Sequence, residues 1–104
     1  MSDPVARTVV RHVMIRGRVQ GVGYRAFVEA TAQQRGLDGW VRNRRDGAVE
    51  AVFAGTVAAV AQMIDACYSG PALARVAGID AEDGDAGLLA LRPSGVRFAV
   101  LATV

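Results

Sequence analysis

A two-residue period gives way to a period near 3.6 across Gly17–Gly23, and no other feature of the chain constrains its fold as much. From Val9 to Val19 the residues are largely apolar and β-branched. Val13 and Ile15 alternate with His12, Met14 and Arg16, the pattern of a strand with one wetter face. Gly17, Gly21 and Gly23 then break the pattern, and from Val22 to Arg35 the residues are fair to good helix formers. Val22, Ala26, Phe27 and Ala30 fall at spacings of three and four, and Gly36 is a C-cap signal. A strand that turns through glycines straight into a helix is the first half of a βαβ unit.

The rest of the chain supplies a second half. Gly39–Arg44 reads as a short strand around Trp40 and Val41, and Asp46-Gly47 is a hairpin signal. Ala48–Ala54 is the return strand, with Val49, Ala51 and Phe53 on one face. Thr56 is placed to cap a helix whose stripe is Val57, Val60, Ala61, Ile64, Cys67 and Tyr68. Gly70-Pro71 stops it, and Arg75–Ala81 is another strand. The acidic, Gly-containing stretch 82–87 reads as a loop, and a terminal strand is placed at Val96–Ala102 in preference to Leu88–Leu91. The order strand, helix, strand, strand, helix, strand predicts an α+β fold. It is the ferredoxin-like split βαβ sandwich, an antiparallel sheet with both helices on one face. At 104 residues the chain makes one domain, 1–104, with residues 1–8 expected to form a flexible tail.

Several chemistries are excluded early. A single cysteine, Cys67, cannot form an internal disulfide or a Cys-based zinc site, and its place on an apolar stripe makes it a small core residue. The only histidine, His12, lies several residues before the glycines and reads as a half-exposed strand residue. No metal or other cofactor is expected. Asp3-Pro4 near the start argues against a secretory signal, and Gly55, Thr56 and Gln62 interrupt the longest apolar stretch. A cytoplasmic monomer with no membrane contact follows as the expectation.

All twelve basic side chains are Arg. Residues 1–45 hold nine of them against Asp3, Glu29 and Asp38, a local +6, whereas residues 46–104 carry a local −4. A basic front half points to an anionic partner. Gln20, Gly21, Val22, Gly23, Tyr24 and Arg25 lie where such an anion can be held. Glycines let the backbone turn with several N–H groups pointing inward, and the first N–H groups of the helix have no intrahelical partner. Arg25, in the first turn, can bind two phosphate oxygens at once. The pattern is neither a dinucleotide fingerprint nor a nucleotide P-loop, since no third glycine is correctly placed and no Gly-Lys-Ser/Thr exists. On these residues alone, a Gly-rich turn bearing surface arginines is an equally good account.

Two longer blocks decide between them. Gly17-Arg18-Val19-Gln20-Gly21-Val22-Gly23-Tyr24-Arg25 resembles the first signature of the acylphosphatase family. Gly39-Trp40-Val41-Arg42-Asn43, followed by Asp46-Gly47, resembles the second, at a fitting distance. The resemblance runs from about Val10 to Ile79; Ala66 departs from the family's frequent aromatic, and 82–104 does not align cleanly with its last strand. It implies hydrolysis of a small acyl phosphate to a carboxylate and inorganic phosphate, without a metal. It also implies that Arg25 and the loop amides hold the phosphoryl group and that Asn43 positions water. The strand carrying Asn43 is expected to pair beside the first strand. Arg42, Arg44 and Arg45 are expected on a solvated strand edge, and Trp40 in packing. The competing reading is a non-catalytic anion- or RNA-binding module of the same shape. It would need exposed aromatics on the sheet, and Ala48–Ala54 offers one aromatic and an acid, so no nucleic acid is expected.

Overall fold

The first strand, β1 (Thr8–Arg18), exists because its two faces differ. Val13 and Ile15 are fully buried on one side, while His12 and Met14 face the other. The computed structural model describes residues 7–104, so residues 1–6 of the expected tail lie outside the described residues, and β1 begins at Thr8 within the tail's expected span. The remaining elements are α1 (Tyr24–Gln34), β2 (Asp38–Asn43), β3 (Val49–Thr56), α2 (Val57–Ser69), β4 (Arg75–Asp83) and β5 (Phe98–Val100). A 3-10 helix spans Ala86–Leu91 between the last two.

The sheet order is β4-β1-β3-β2-β5. Three pairings are antiparallel, with Val13 opposite Ala51, Ile15 opposite Ile79 and Val41 opposite Ala51. The ferredoxin-like α+β arrangement is therefore present, with two corrections. The sheet is mixed, because β5 runs parallel to β2 with Val41 opposite Val100. And β2 does not lie beside β1: β3 stands between them. Consecutive strands joined by the tight Asp46-Gly47 turn pair with each other first, which leaves β3 free to take β1 on its other edge.

The main core lies between the sheet and the helices. Its centre is Val13, Ile15, Val41, Ala51 and Phe53 against Val28 and Met63. Fully burying each of the larger apolar side chains is worth about 1.5–3 kcal/mol. α1 is rotated from the face the sequence pattern suggested, though Val22 and Phe27 still pack against the core, whereas α2 keeps Val60, Ile64 and Cys67 of its expected stripe. In α1 the buried residues are Tyr24, Val28 and Ala32, at i, i+4 and i+8, while Ala26 and Ala30 are exposed. In α2 they are Val60, Met63 and Cys67, and Tyr68 is 55% exposed. Alanines carry too little area to fix a helix's rotation, whereas Tyr24 and Met63 each bring a large side chain that must be buried. Thr56 does cap α2: its Oγ1 accepts from the Ala59 N–H at 3.1 Å.

The opposite face of the sheet is partly covered as well. Trp40 is 1% exposed and packs with Val52 and Ala99 beneath Leu88 and Leu89 of the 3-10 helix. Its Nε1–H donates to the Leu88 carbonyl at 2.8 Å. The stretch 82–87 is thus not a plain loop: Glu82 and Asp83 end β4, and Ala86 starts the 3-10 turn. The terminal strand is the one within 96–102, while Leu88–Leu91 is helical. No described helix is long and apolar enough to cross a membrane.

Gly17 and Gly39 are both required by the sheet itself. Gly39 has φ +144, and a Cβ there would run into the Val52 carbonyl, with Phe98 close behind. Gly39→Ala is expected to cost about 3 kcal/mol or more, from strain and forced separation of β2 and β3. Urea unfolding against the parent chain measures it; a midpoint unchanged within error would refute it.

Candidate active site

The turn after β1 forms a cleft of about 360 Å³. Gly21 (φ +73) and Gly23 (φ +79) are both in the left-handed region, and a Cβ at either would meet nothing within 4 Å. The backbone thus needs glycine for its conformation, and space stays open above it. Gly23 is the N-cap of α1, with no side chain to satisfy the helix's first N–H groups. The first intrahelical bond runs from Phe27 N–H to Gly23 O at 3.1 Å, so the amides of residues 24–26 have no such partner. Those amides and the helix dipole favour an anion.

Gln20, Gly21, Gly23, Tyr24, Arg25 and Asn43 all line this cleft, so the structure brings together residues drawn from both sequence blocks. Two of the expected loop residues turn their side chains to the core. Val22 packs against the core and is not in the cleft wall. Tyr24 buries its ring and donates its hydroxyl to the Cys67 carbonyl at 2.6 Å, and burial pushes its phenol far above the ordinary range. Burial likewise pushes the Cys67 thiol up to about 12, which removes it as a nucleophile at neutral pH.

Arg25 is partly buried and, among the described residues, makes no ion pair and no side-chain hydrogen bond. Its five donors are therefore available to a ligand. Asn43 ends β2 on the core-facing side, and its backbone is held on both edges. It pairs with Val49 of β3, and its carbonyl accepts from the Val104 N–H at 3.2 Å. Its Oδ1 is buried without a hydrogen-bond partner among the described residues. A buried acceptor left unpaired costs about 1–3 kcal/mol, and such groups persist where function uses them.

Because β2 is not adjacent to β1, strand pairing does not bring Asn43 to the loop. Gln20 makes the connection. Its Nε2 donates to the Arg44 carbonyl at 2.7 Å and to the Ala48 carbonyl at 2.9 Å, tying the loop to the mouth of the β2–β3 hairpin. The sequence placed Gln20 in the loop without this second role, which needs the strand order to be seen.

The arginines beside Asn43 are not all solvated. On the other face of the sheet, Glu50 of β3 is 6% exposed and accepts three charged hydrogen bonds. Arg42 Nε donates at 2.7 Å, Arg44 Nη1 at 2.9 Å and His12 Nε2 at 2.7 Å. The Arg42 guanidinium also stacks 4.6 Å from the Trp40 ring centroid. This cluster fixes the two residues that bracket Asn43. Burial alone would raise the Glu50 pKa, but the bonds from His12, Arg42 and Arg44 outweigh it and hold it at about 2, against 4.5 for a free group. A depressed pKa stabilises the fold above the free value and loses that contribution as pH falls from about 4.5 towards 2. Glu50→Gln should therefore be less stable at pH 7 by about 2–3 kcal/mol and show a flatter stability profile between pH 5 and 2. Urea titrations across that range measure both, and parallel profiles for the two proteins would refute the assignment.

Fold and cleft together define a small ferredoxin-like protein in which a glycine-built turn and an asparagine line one cleft. Comparison with known proteins narrows the class. The acylphosphatase family model matches residues 11–87. An acylphosphatase of Rhodopseudomonas palustris (strain BisB18) is 56% identical over 97 residues, 93% of this chain and 98% of that one. One from Bradyrhizobium diazoefficiens is 56% identical over 91% of this chain and 96% of its own length. The crystal structure of acylphosphatase from Bacillus subtilis superposes with a TM-score of 0.77 at 33% identity, covering 89% of this chain and 98% of that one. The chain belongs to the acylphosphatase family.

Proposed function

We propose that this chain hydrolyses acyl phosphates to a carboxylate and inorganic phosphate, with Arg25 and Asn43 as its catalytic residues. The observation that carries this reading is the pairing of two unsatisfied groups in one cleft, a guanidinium without an acid and a buried amide oxygen without a donor among the described residues. Family membership supports the same chemistry.

The phosphoryl group sits against the amides from Gln20 to Arg25, with the Arg25 fork on two of its oxygens. Phosphoryl transfer asks chiefly for position and for donors aimed where charge accumulates, and this loop supplies both. Asn43 Oδ1 accepts from the attacking water and holds it opposite the leaving carboxylate. The water oxygen bonds to phosphorus as the bond to the acyl oxygen breaks. An amide is too weak a base to take the proton, so a phosphate oxygen of the substrate receives it. The mixed anhydride is already activated, and its carboxylate leaves readily.

The same reading has residues 1–104 act as one domain, as a monomer in the cytoplasm, with charge stabilisation supplied by the protein and no metal. The RNA-binding alternative fares worse. The Trp40 ring, the aromatic of β2, is covered by the 3-10 helix, and the Glu50 ion cluster occupies the face beside it. Release of inorganic phosphate from benzoyl phosphate in the presence of chelator tests the proposal. Turnover is expected to persist; a chain inert towards benzoyl and acetyl phosphate would overturn it.

A further inference from the structure

We propose that Glu29 makes the acyl end of the cleft select against acyl phosphates whose acyl group carries a second negative charge. This rests on the acyl-phosphate reading and adds to it the class of acyl group.

Glu29 follows Arg25 by four residues on α1, so both lie on one helix face, about 6 Å apart along the axis. Both line the cleft, and among the described residues they are the only charged ones that do. With the phosphoryl group in the loop, Glu29 stands one turn further along, beside the part of the cleft left for the acyl group. Val100 lines the cleft from the sheet side. It is paired opposite Val41, two residues from Asn43, and is 43% exposed despite being apolar. Ala26 adds a small apolar contact on the helix side.

Charge balance gives the selection its sign. Glu29 is partly buried and makes no ion pair among the described residues. A bound phosphoryl group neutralises Arg25, the one cation among the described residues of the cleft wall. The Glu29 carboxylate then faces the acyl group with no described cation of the cleft wall left to offset it. An uncharged body can lie along Val100 and Ala26, while a carboxylate there meets a like charge with no second described cation in the wall to offset it. Two like charges several ångströms apart at a partly solvated surface should reduce kcat/KM by about tenfold.

Benzoyl phosphate and 4-carboxybenzoyl phosphate test this, since they differ only in a distal carboxylate. In low salt the parent chain is expected to prefer benzoyl phosphate by about tenfold in kcat/KM, with the preference shrinking as salt rises. Glu29→Gln should bring the ratio to within about threefold, and Glu29→Lys should favour the carboxylated substrate. The ratio is the readout, so any effect on phosphate binding common to both substrates cancels. Hydrolysis of both with the same ratio in parent and Glu29→Gln proteins would overturn charge selection and leave the acyl-phosphate reading standing. A parent chain that hydrolyses neither would overturn that reading and this one with it.

Discussion

Arg25→Ala is expected to lower kcat/KM for benzoyl phosphate by about 10³-fold or more, the scale of losing a principal charge-stabilising donor in phosphoryl transfer. The same change should weaken competitive inhibition by inorganic phosphate at least about tenfold, because product and transferring group share the loop. Stability should move by less than about 0.5 kcal/mol, since the Arg25 side chain makes no described hydrogen bond or ion pair that folding would lose. Arg25→Lys should recover little, as an ammonium cannot reproduce a planar fork on two oxygens. Initial rates, phosphate inhibition and urea unfolding together check this. Near-normal turnover in Arg25→Ala would sink the site assignment.

The sequence made the element order legible because glycines and caps punctuate it sharply. Gly17–Gly23, Asp46-Gly47, Thr56 and Gly70-Pro71 each mark a boundary that the structure places within a few residues. It was poor at the rotation of α1. Small alanines scored as apolar and pulled the inferred α1 stripe off the face that Tyr24 and Val28 bury. It was also poor at neighbour relations across the sheet. Nothing local says that β3 separates β1 from β2, or that β5 adds a parallel edge. Such pairings are settled by long-range packing, here Phe53 stacking with Phe98 at 6.0 Å between centroids.

The cleft was legible for a different reason. A backbone that turns this tightly into a helix needs glycine at positive φ, and that need is written directly into Gly21 and Gly23. Arg25 follows from its place in the first turn. What the sequence hid are the residues acting through strand geometry. Gln20 reaches Arg44 and Ala48 only because the hairpin mouth folds beside the loop. Glu50 gathers Arg42, Arg44 and His12 only because β1, β3 and β2 are consecutive in the sheet. A single Glu among apolar residues of a central strand, with Arg42 opposite it across the hairpin, was the available signal.

Asn43→Ala should separate catalysis from binding and from stability. Turnover is expected to fall by about 10²–10⁴-fold, since the residue's proposed task is to hold water in line. The inhibition constant for inorganic phosphate should stay within about threefold, because Arg25 and the loop amides remain. Stability should be unchanged or rise by up to about 1 kcal/mol, for the substitution removes a buried acceptor with no described partner. The backbone bonds to Val49 and Val104 survive in alanine, so β2 keeps its place. A structural asparagine would behave in the opposite way, losing stability first and activity in proportion. Activity lost alongside stability gained or held therefore identifies Asn43 as a residue kept for chemistry, whereas retained turnover or a large loss of stability would assign it to the scaffold.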